Sequence, residues 1–503
     1  MSLAKVNSAA VVGLDAVPIE VEVDIASQGL PSFTIVGLPD KAIEESKERV
    51  RSAIKNSGVE FPAKRITVNL APADIKKEGP AYDLAIALGI LAADERIPKL
   101  SDKFIFVGEL ALDGGLRHIN GILPIVSSMK KNIDGIILPP INAEEASLVK
   151  NIKIIPAPTL KSLIFHFKKE KELPLYYKKF KIAAPEKSEF DLAYIKGQEQ
   201  AKRALEIASS GGHNLFFSGP PGSGKTLLAR TLPTIMPEMS EEEIIEVTKI
   251  FSIAGMLPQN QPLVHARPFR SPHHTASSAA LVGGGTYPKP GEITLAHRGV
   301  LFMDEFPEFP RSVLEALRQP LEDGIVTVSR AASSITYPAK FILVAAQNPC
   351  PCGYLGDPRK ACICTPSQIL RYQKRVSGPL LDRIDIHVEV PRVKFERLSS
   401  DELAESSKKV RDRVQKARKI QIKRLGKTNS EMTNKEVKEH CRLDEKSKNL
   451  LKAAMNQLNL SARQFGRILK VSRTIADLEN QKEISSQNIA EALQYRPKEH
   501  SIY

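Results

Sequence analysis

Gly219-Pro220-Pro221-Gly222-Ser223-Gly224-Lys225-Thr226 follows a short apolar run, Leu215-Phe216-Phe217, and leads into Leu227-Leu228-Ala229. Glycines at this spacing let backbone N–H groups turn inward around phosphate oxygens, and a helix N-terminus adds a favourable dipole. The lysine reaches the β- and γ-phosphates, and the threonine hydroxyl that follows holds Mg²⁺. A chance glycine-rich turn would need neither the strand before it nor the helix after it. The octet therefore points to a nucleoside triphosphate site that uses ATP with Mg²⁺.

A second apolar strand, Val300-Leu301-Phe302-Met303, ends in Asp304 and Glu305. Read alone, these would be two solvated acids at a strand end. In a parallel sheet, however, strand C-termini share the edge where the phosphate loop sits. Asp304 then completes the Mg²⁺ shell, and Glu305 orients or deprotonates the attacking water. A third strand, 341–346, ends at Gln347-Asn348, which offers a neutral polar group, Asn348, to hold that water. In Gly378-Pro379-Leu380-Leu381-Asp382-Arg383-Ile384-Asp385 an arginine is flanked by acids. An arginine lent to a neighbouring subunit's site is worth about 10³ to 10⁵ in kcat for this chemistry. Arg383 is the candidate, and a local salt bridge to Asp382 or Asp385 is the alternative.

Cys350, Cys352, Cys362 and Cys364 form two close pairs nine residues apart. Four thiolates can surround Zn²⁺ and fix a loop too short to fold around a core of its own. Reduced thiols or a redox disulfide would fit the same residues. A four-cysteine shell leaves no open position for catalysis. His273 and His274 are adjacent, point different ways and lack partners in the sequence, so a loop role is preferred to a metal site. Cys441, alone in a helical region, reads as packing.

These groups need a scaffold, and 503 residues suffice for about three domains. Apolar content of 42% and charged content of 26% are those of an ordinary globular chain. The longest apolar run, Leu84 to Ala93, falls short of the roughly 18 residues of a membrane span. Early acids (Asp15, Glu20, Glu22, Asp24) and the cysteine pattern favour a reducing cytoplasm over secretion. Of the net charge of +14, residues 392–503 carry +11, with 26 Lys/Arg against 15 Asp/Glu. Lys408 to Lys427 holds ten basic residues and one acid, Asp412, and reads either as a solvated helix face or as a phosphate-binding surface.

Residues 1–165 read as an α+β domain with strands near Ile19–Ile25 and 65–70 and helices at 42–54 and 83–93. Lys77-Glu78-Gly79-Pro80-Ala81 and Gly108-Glu109-Leu110-Ala111-Leu112-Asp113-Gly114 resemble the two active-site segments of the Lon-type protease domain (an S5 domain 2-like fold). Ala81 stands where that family places its serine, and the lysine base falls at or next to Leu123, so the resemblance implies the fold without the peptidase dyad. Residues 166–190, with Lys168-Lys169, Lys178-Lys179 and Lys181, read as a basic linker.

The core expected at 191–395 is a P-loop αβα layer structure, and its order of parts resembles AAA+ ATPases. The resemblance implies that Ile195 to Gln198 pass over the adenine and that Asn348 serves as sensor 1. Two insertions mark a branch: Arg270-Ser271-Pro272-His273-His274 through Gly283-Gly284-Gly285, and a hairpin of 326–330 with 334–337 around Ala331-Ala332-Ser333. They resemble replicative MCM helicases and magnesium chelatase ATPase subunits. Residues 396–503 read as a helical lid, with a stripe of Val410, Val414 and Ala417 and further helices at 444–457, 462–480 and 487–495. By resemblance to the sensor 2 region, Arg463 reaches the γ-phosphate of its own subunit, unless it only caps or pairs within the lid.

The phosphate loop, the GGG insert, MDEFPEF, QNPCPCG with CxCTP, GPLLDRID and SRTIADL together resemble the magnesium-chelatase-like ATPases of the ComM/YifB family. That implies a homo-hexameric ring acting on single-stranded or branched DNA. It also implies branch migration or unwinding in homologous recombination of incoming DNA during natural transformation, beside recombination proteins and without a membrane. The alternatives are the ATPase subunit of a metal chelatase and an ATP-gated scaffold.

Overall fold

The computed structural model describes residues 2–177, 189–258, 262–285, 288–330, 333–393, 396, 403–457 and 460–496. Lys178, Lys179 and Lys181 of the expected linker, and Ala331 and Ala332 of the hairpin turn, lie outside the described residues. The chain divides into two compact units, 1–183 with 244–264, and 184–243 with 265–503.

In the first unit, β1 (Ser2–Val12) and β2 (Asp15–Ala26) form a long antiparallel hairpin. β2 pairs antiparallel with β4 (Arg65–Ala71), which pairs parallel with β3 (Ser32–Val36). Alternation along β2 buries Ile19, Val21, Val23 and Ile25, as a half-buried strand requires. α1 (Lys41–Asn56), capped by the Asp40 carboxylate, and α2 (Asp83–Ala93) cover this sheet. α2 is apolar all round and buried almost throughout. A parallel three-stranded sheet, β5 (Phe104–Phe106), β6 (Gly135–Leu138) and β7 (Lys153–Pro156), and α3 (Ile122–Met129) build a second core.

The two Lon-like segments meet: the Gly108 amide donates to the Ala81 carbonyl at 2.9 Å. Leu123 is fully buried, and its amide donates to the Glu145 carboxylate at 2.8 Å. The described part of the expected linker is not free chain. Phe167, Leu173 and Tyr176 pack on the first unit, and the Tyr176 amide donates to the Ile154 carbonyl at 2.8 Å.

The second unit is a mixed α/β body around a five-stranded parallel sheet. Its order is β9 (Phe269–Arg270), β10 (Val300–Met303), β13 (Ile342–Gln347), β8 (Leu215–Ser218) and β14 (Ile386–Glu389). β8, β10 and β13 are short apolar runs buried on both faces, which a parallel sheet demands. Helices α4 (Glu199–Gly211) and α5 (Lys225–Ile235) flank the sheet. α6 (Glu241–Ala254) starts in this unit and ends in the first, so the interval expected wholly within the ATPase core is shared between the two units. β11 (Ile325–Arg330) and β12 (Ser333–Pro338) form the expected hairpin, in register from Ile325 opposite Pro338 to Arg330 opposite Ser333.

The C-terminal helices are α7 (Ser407–Leu425), α8 (Glu445–Gln457), α9 (Ala462–Leu478) and α10 (Ser486–Gln494). Val410 and Val414 of α7 and Ile468 and Ile475 of α9 share one apolar cluster with Leu215, Phe217 and Leu228 of the sheet layer. The lid and the sheet therefore have a common core. Cys441 lies in the same cluster, where burial pushes its thiol up to about 11. No helix among the described residues is long and apolar enough to cross a membrane.

Candidate ATP site and the opposite sheet edge

At the C-terminal ends of β8, β10 and β13 the phosphate loop, the paired acids and Asn348 converge. Gly222 (φ 76°) and Gly224 (φ 91°) adopt the left-handed conformation that turns amides inward. The Lys225 ammonium is nearly buried and donates to the Gly219 and Pro220 carbonyls at 2.7 and 3.0 Å and to Asn348 Oδ1 at 3.2 Å. Burial lowers its pKa, and the Asp304 charge opposes that. Thr226 Oγ1 donates to Asp304 Oδ2 at 2.9 Å, so the two expected Mg²⁺ ligands are adjacent. Ser223 Oγ is buried without a hydrogen-bond partner inside the loop, an orphan that a phosphate oxygen would satisfy. The Gln198 side-chain amide Nε2 donates to the Ser223 carbonyl at 3.4 Å and to the Pro391 carbonyl, which places the expected adenine-side segment against the loop. This donor set fits Mg-ATP.

Glu305 sits in the left-handed region (φ 52°), and its carboxylate meets His274 Nδ1 at 3.0 Å. The expectation that the two histidines lack partners is corrected. The loop carrying His274 folds back to the paired acids, with the His273 ring tilted against that of His274, centroids 4.1 Å apart, and His273 Nδ1 2.9 Å from Thr275 Oγ1.

Arg383 and Arg463 lie elsewhere. Asp385 precedes β14 just as Asn214 precedes β8, and Ile386 pairs with Leu215, so these residues mark the N-terminal edge of the sheet. A four-residue strand separates that edge from the phosphate loop by roughly 13 Å. Arg383 is buried; its Nη2 meets Glu322 Oε1 at 2.5 Å, and its Nη1 donates to the Pro379 carbonyl at 2.6 Å. The local partner is thus Glu322, rather than Asp382 or Asp385. Arg463 Nη2 reaches the same Glu322 oxygen at 3.3 Å. Its expected place at its own subunit's γ-phosphate is corrected, because α9 starts beside Glu322 at the far edge. The Arg383 hydrogen bond, opposed by burial, lowers the Glu322 pKa.

Asp385 accepts from Arg467 at 2.9 Å and from the Asn214 amide at 3.2 Å, with His213 Nδ1 at 3.3 Å. Burial would raise the Asp385 carboxyl, but these partners outweigh it and hold it far below the usual carboxylate range. Neither Glu322 nor the pairing of His274 with Glu305 could be found from spacing, since each contact arises only through the fold.

The four cysteines converge. Cys350 Sγ is 3.4 Å from Cys352 Sγ and 3.6 Å from Cys362 Sγ, and all four sulfurs lie within 4.8 Å of one another. The Cys352 amide donates to Cys364 Sγ at 3.4 Å. On α7 the arginines and lysines divide. Arg413 pairs with Glu206 and Glu405, Arg418 donates to the Ser209 and Ser210 carbonyls, and Arg424 pairs with Asp477. Lys409, Lys416, Lys419 and Lys423 are exposed.

A parallel sheet with a phosphate loop, paired acids and Asn348 at one edge, arginines at the other and a helical C-terminal region is the build of a magnesium-chelatase-like AAA+ protein. A family model described as "Magnesium chelatase, subunit ChlI" matches residues 191–398. "Subunit ChlI of Mg-chelatase" matches 21–142, and "Magnesium chelatase, subunit ChlI C-terminal" matches 404–496. The chain is 48% identical to "Competence protein ComM" of Haemophilus influenzae, over 99% of this chain and 98% of that protein. It is 45% identical to "Uncharacterized protein YifB" of Escherichia coli, over 99% and 97%. It is 27% identical to "Magnesium-chelatase subunit ChlI" of Olisthodiscus luteus, over 32% of this chain and 51% of that one. The chain belongs to the ComM/YifB family of magnesium-chelatase-like AAA+ ATPases.

Proposed function

We propose that this chain is a Mg-ATP-driven motor that assembles as a homo-hexameric ring on single-stranded or branched DNA. In this reading it drives branch migration or unwinding during homologous recombination of incoming DNA. The observation that carries it is the placement of Arg383 and Arg463 on Glu322, at the sheet edge opposite the phosphate loop. An ATP site of this build gains its arginines only from a neighbour, and a closed ring supplies one to every site. The full-length similarity to a protein named for competence supports DNA as the track. Exposed α7 lysines offer phosphate contacts, and His273 and His274, with the β11–β12 hairpin, form candidate strand-facing elements.

In this mechanism the loop amides and Lys225 bind the phosphates, and Thr226 and Asp304 would hold Mg²⁺, which would supply charge neutralisation of the phosphates. Glu305 orients or deprotonates the attacking water, and Asn348 fixes its place. The neighbour's Arg383 and Arg463 stabilise charge developing on the transferred phosphoryl group. The first unit keeps a Lon-like fold without nucleophile or base, because Ala81 and Leu123 occupy those positions. Zn²⁺ suits the four cysteines.

The test is displacement of a strand from a branched junction by wild type and by Glu305→Gln. Wild type unwinds with ATP and the variant does not; equal failure of both refutes a motor. Binding should also fall steeply with salt, the logarithm of the binding constant dropping by about 0.9 per duplex phosphate contact. The partial similarity to magnesium chelatase subunits favours a second reading, ATP-driven metal insertion into a porphyrin. A porphyrin metallation assay separates the two.

A further inference from the structure

The loop from Cys350 to Cys364 has almost no apolar core to hold it in place. Of its 15 residues only Cys350 and Gly353 are buried, which is too little apolar surface to order a segment of this length. The loop nevertheless makes close contacts at its N-terminal end. Cys350 stands two residues beyond Asn348, whose side chain takes a hydrogen bond from Lys225 at 3.2 Å. Gly353 (φ 85°) packs its backbone directly on the phosphate loop, where a Cβ would stand 2.7 Å from Pro221 Cδ. Outside the cysteines, Tyr354 lies beneath the Lys360 ammonium, with 4.1 Å to the ring centroid, and beside the Arg392 guanidinium. Arg392 in turn pairs with Asp357 at 2.7 Å.

Sulfur separations identify the kind of centre. Four ligands about 2.3 Å from a tetrahedral ion stand about 3.8 Å apart. The distances of 3.4, 3.6 and 3.6 Å among Cys350, Cys352 and Cys362 are close to that value. They leave room for one ion and none for a polynuclear iron–sulfur core. They also exceed the roughly 2.05 Å of a disulfide.

We infer that Cys350, Cys352, Cys362 and Cys364 form a tetrathiolate zinc centre that is a working wall of the ATP site. Zinc binding pins the chain that presents Asn348 to Lys225 and presses Gly353 against Pro221. Loading of this centre therefore sets nucleotide affinity. This rests on the reading of the phosphate loop as an ATP site and adds a positioning role for the metal. The centre does not touch ATP, because its four protein ligands fill the tetrahedron and exclude water or substrate.

The test uses the full-length chain. Metal analysis is expected to give one zinc per chain, and Co²⁺ substitution the absorption of a tetrathiolate site. Zinc is then withdrawn with a mercurial reagent and a chromogenic chelator while a fluorescent ADP analogue reports nucleotide binding. Affinity should fall about tenfold, the effect of losing one well-placed charge-assisted hydrogen bond, and return on adding Zn²⁺. The double variant Cys362→Ser, Cys364→Ser should match the zinc-free protein. Cys441→Ser, in the lid core, should keep both zinc and affinity. A chain with no zinc, no Co²⁺ spectrum and four freely alkylated thiols overturns the centre. Zinc release that leaves nucleotide affinity unchanged overturns its role in the ATP site. If the zinc-loaded protein itself binds no nucleotide, the ATP-site reading fails instead, while the metal count and the Co²⁺ spectrum still decide the centre.

Discussion

Replacing Arg383 with alanine separates a structural arginine from one that serves a neighbour. The residue is 8% exposed, and its guanidinium makes two contacts, to Glu322 and to the Pro379 carbonyl. Losing a charge-assisted bond of this kind costs about 1.5 to 3 kcal/mol, softened here because Glu322 is part exposed and keeps Arg463. Against a typical stability of about 5 to 15 kcal/mol, more than nine-tenths of the protein stays folded, so misfolding accounts for less than a twofold loss of activity. A trans arginine is worth about 10³ to 10⁵ in kcat. The two explanations differ by orders of magnitude, and a steady-state ATPase assay with a thermal melt on the same sample distinguishes them. Complementation adds the decisive arm. Arg383→Ala subunits keep an intact phosphate loop, and Lys225→Ala subunits keep the arginine. Mixing the two inactive proteins should restore hydrolysis at interfaces where one supplies the loop and the other the arginine. Arg383→Ala activity within fivefold of wild type, or mixtures as inactive as their parents, would refute the trans assignment.

Three further outcomes are expected. His274→Ala frees Glu305 from an exposed pair worth about 0.2 to 1 kcal/mol and should raise DNA-free ATP hydrolysis about 1.4- to 5-fold; a decrease would show that His274 assists the chemistry rather than restraining it. Gly353→Ala forces a Cβ onto Pro221 at a left-handed backbone position and should weaken nucleotide binding about tenfold with little change in the melting profile, as measured by the fluorescent ADP analogue. His387, whose pKa is brought down to about 4 by burial and by the nearby Arg496, stays neutral in the fold while the unfolded chain takes a proton near pH 6.5. Stability should therefore be full above pH 6.5 and fall by about 3 kcal/mol as pH drops towards 4, and denaturant titrations of His387→Phe should show a flatter profile.

The ATP edge was legible because its chemistry is local: the loop, Asp304 with Glu305, and Asn348 each follow a short apolar run, and a parallel sheet gathers strand ends at one edge. The cysteine cluster was legible as four ligands, but its contact with Pro221 through Gly353 was not. Glu322 carries no motif and becomes meaningful only when β14 and α9 bring Arg383 and Arg463 to it. The packing of the lid was hidden for a related reason: helical periodicity marks the helices of 396–503, yet Val414 and Ile475 bury their side chains in the same core as Phe217. Periodicity reports which face is apolar and cannot say what covers it.

The path of α6 bears on how this protein can be cut. Its first turn belongs to one unit, while Ser252 near its end donates to the buried Glu145 carboxylate at 2.6 Å and accepts from the Gly121 amide at 2.9 Å in the other. A fragment ending at residue 183 would strand Glu145 without that hydroxyl and would lack Val247 and Ile250, which are buried in the whole chain. Its complement, beginning at 184, would carry the same apolar stripe into solvent. Excising either half by a single chain break should give an insoluble product, so evolution would have to trade these two bodies together or not at all.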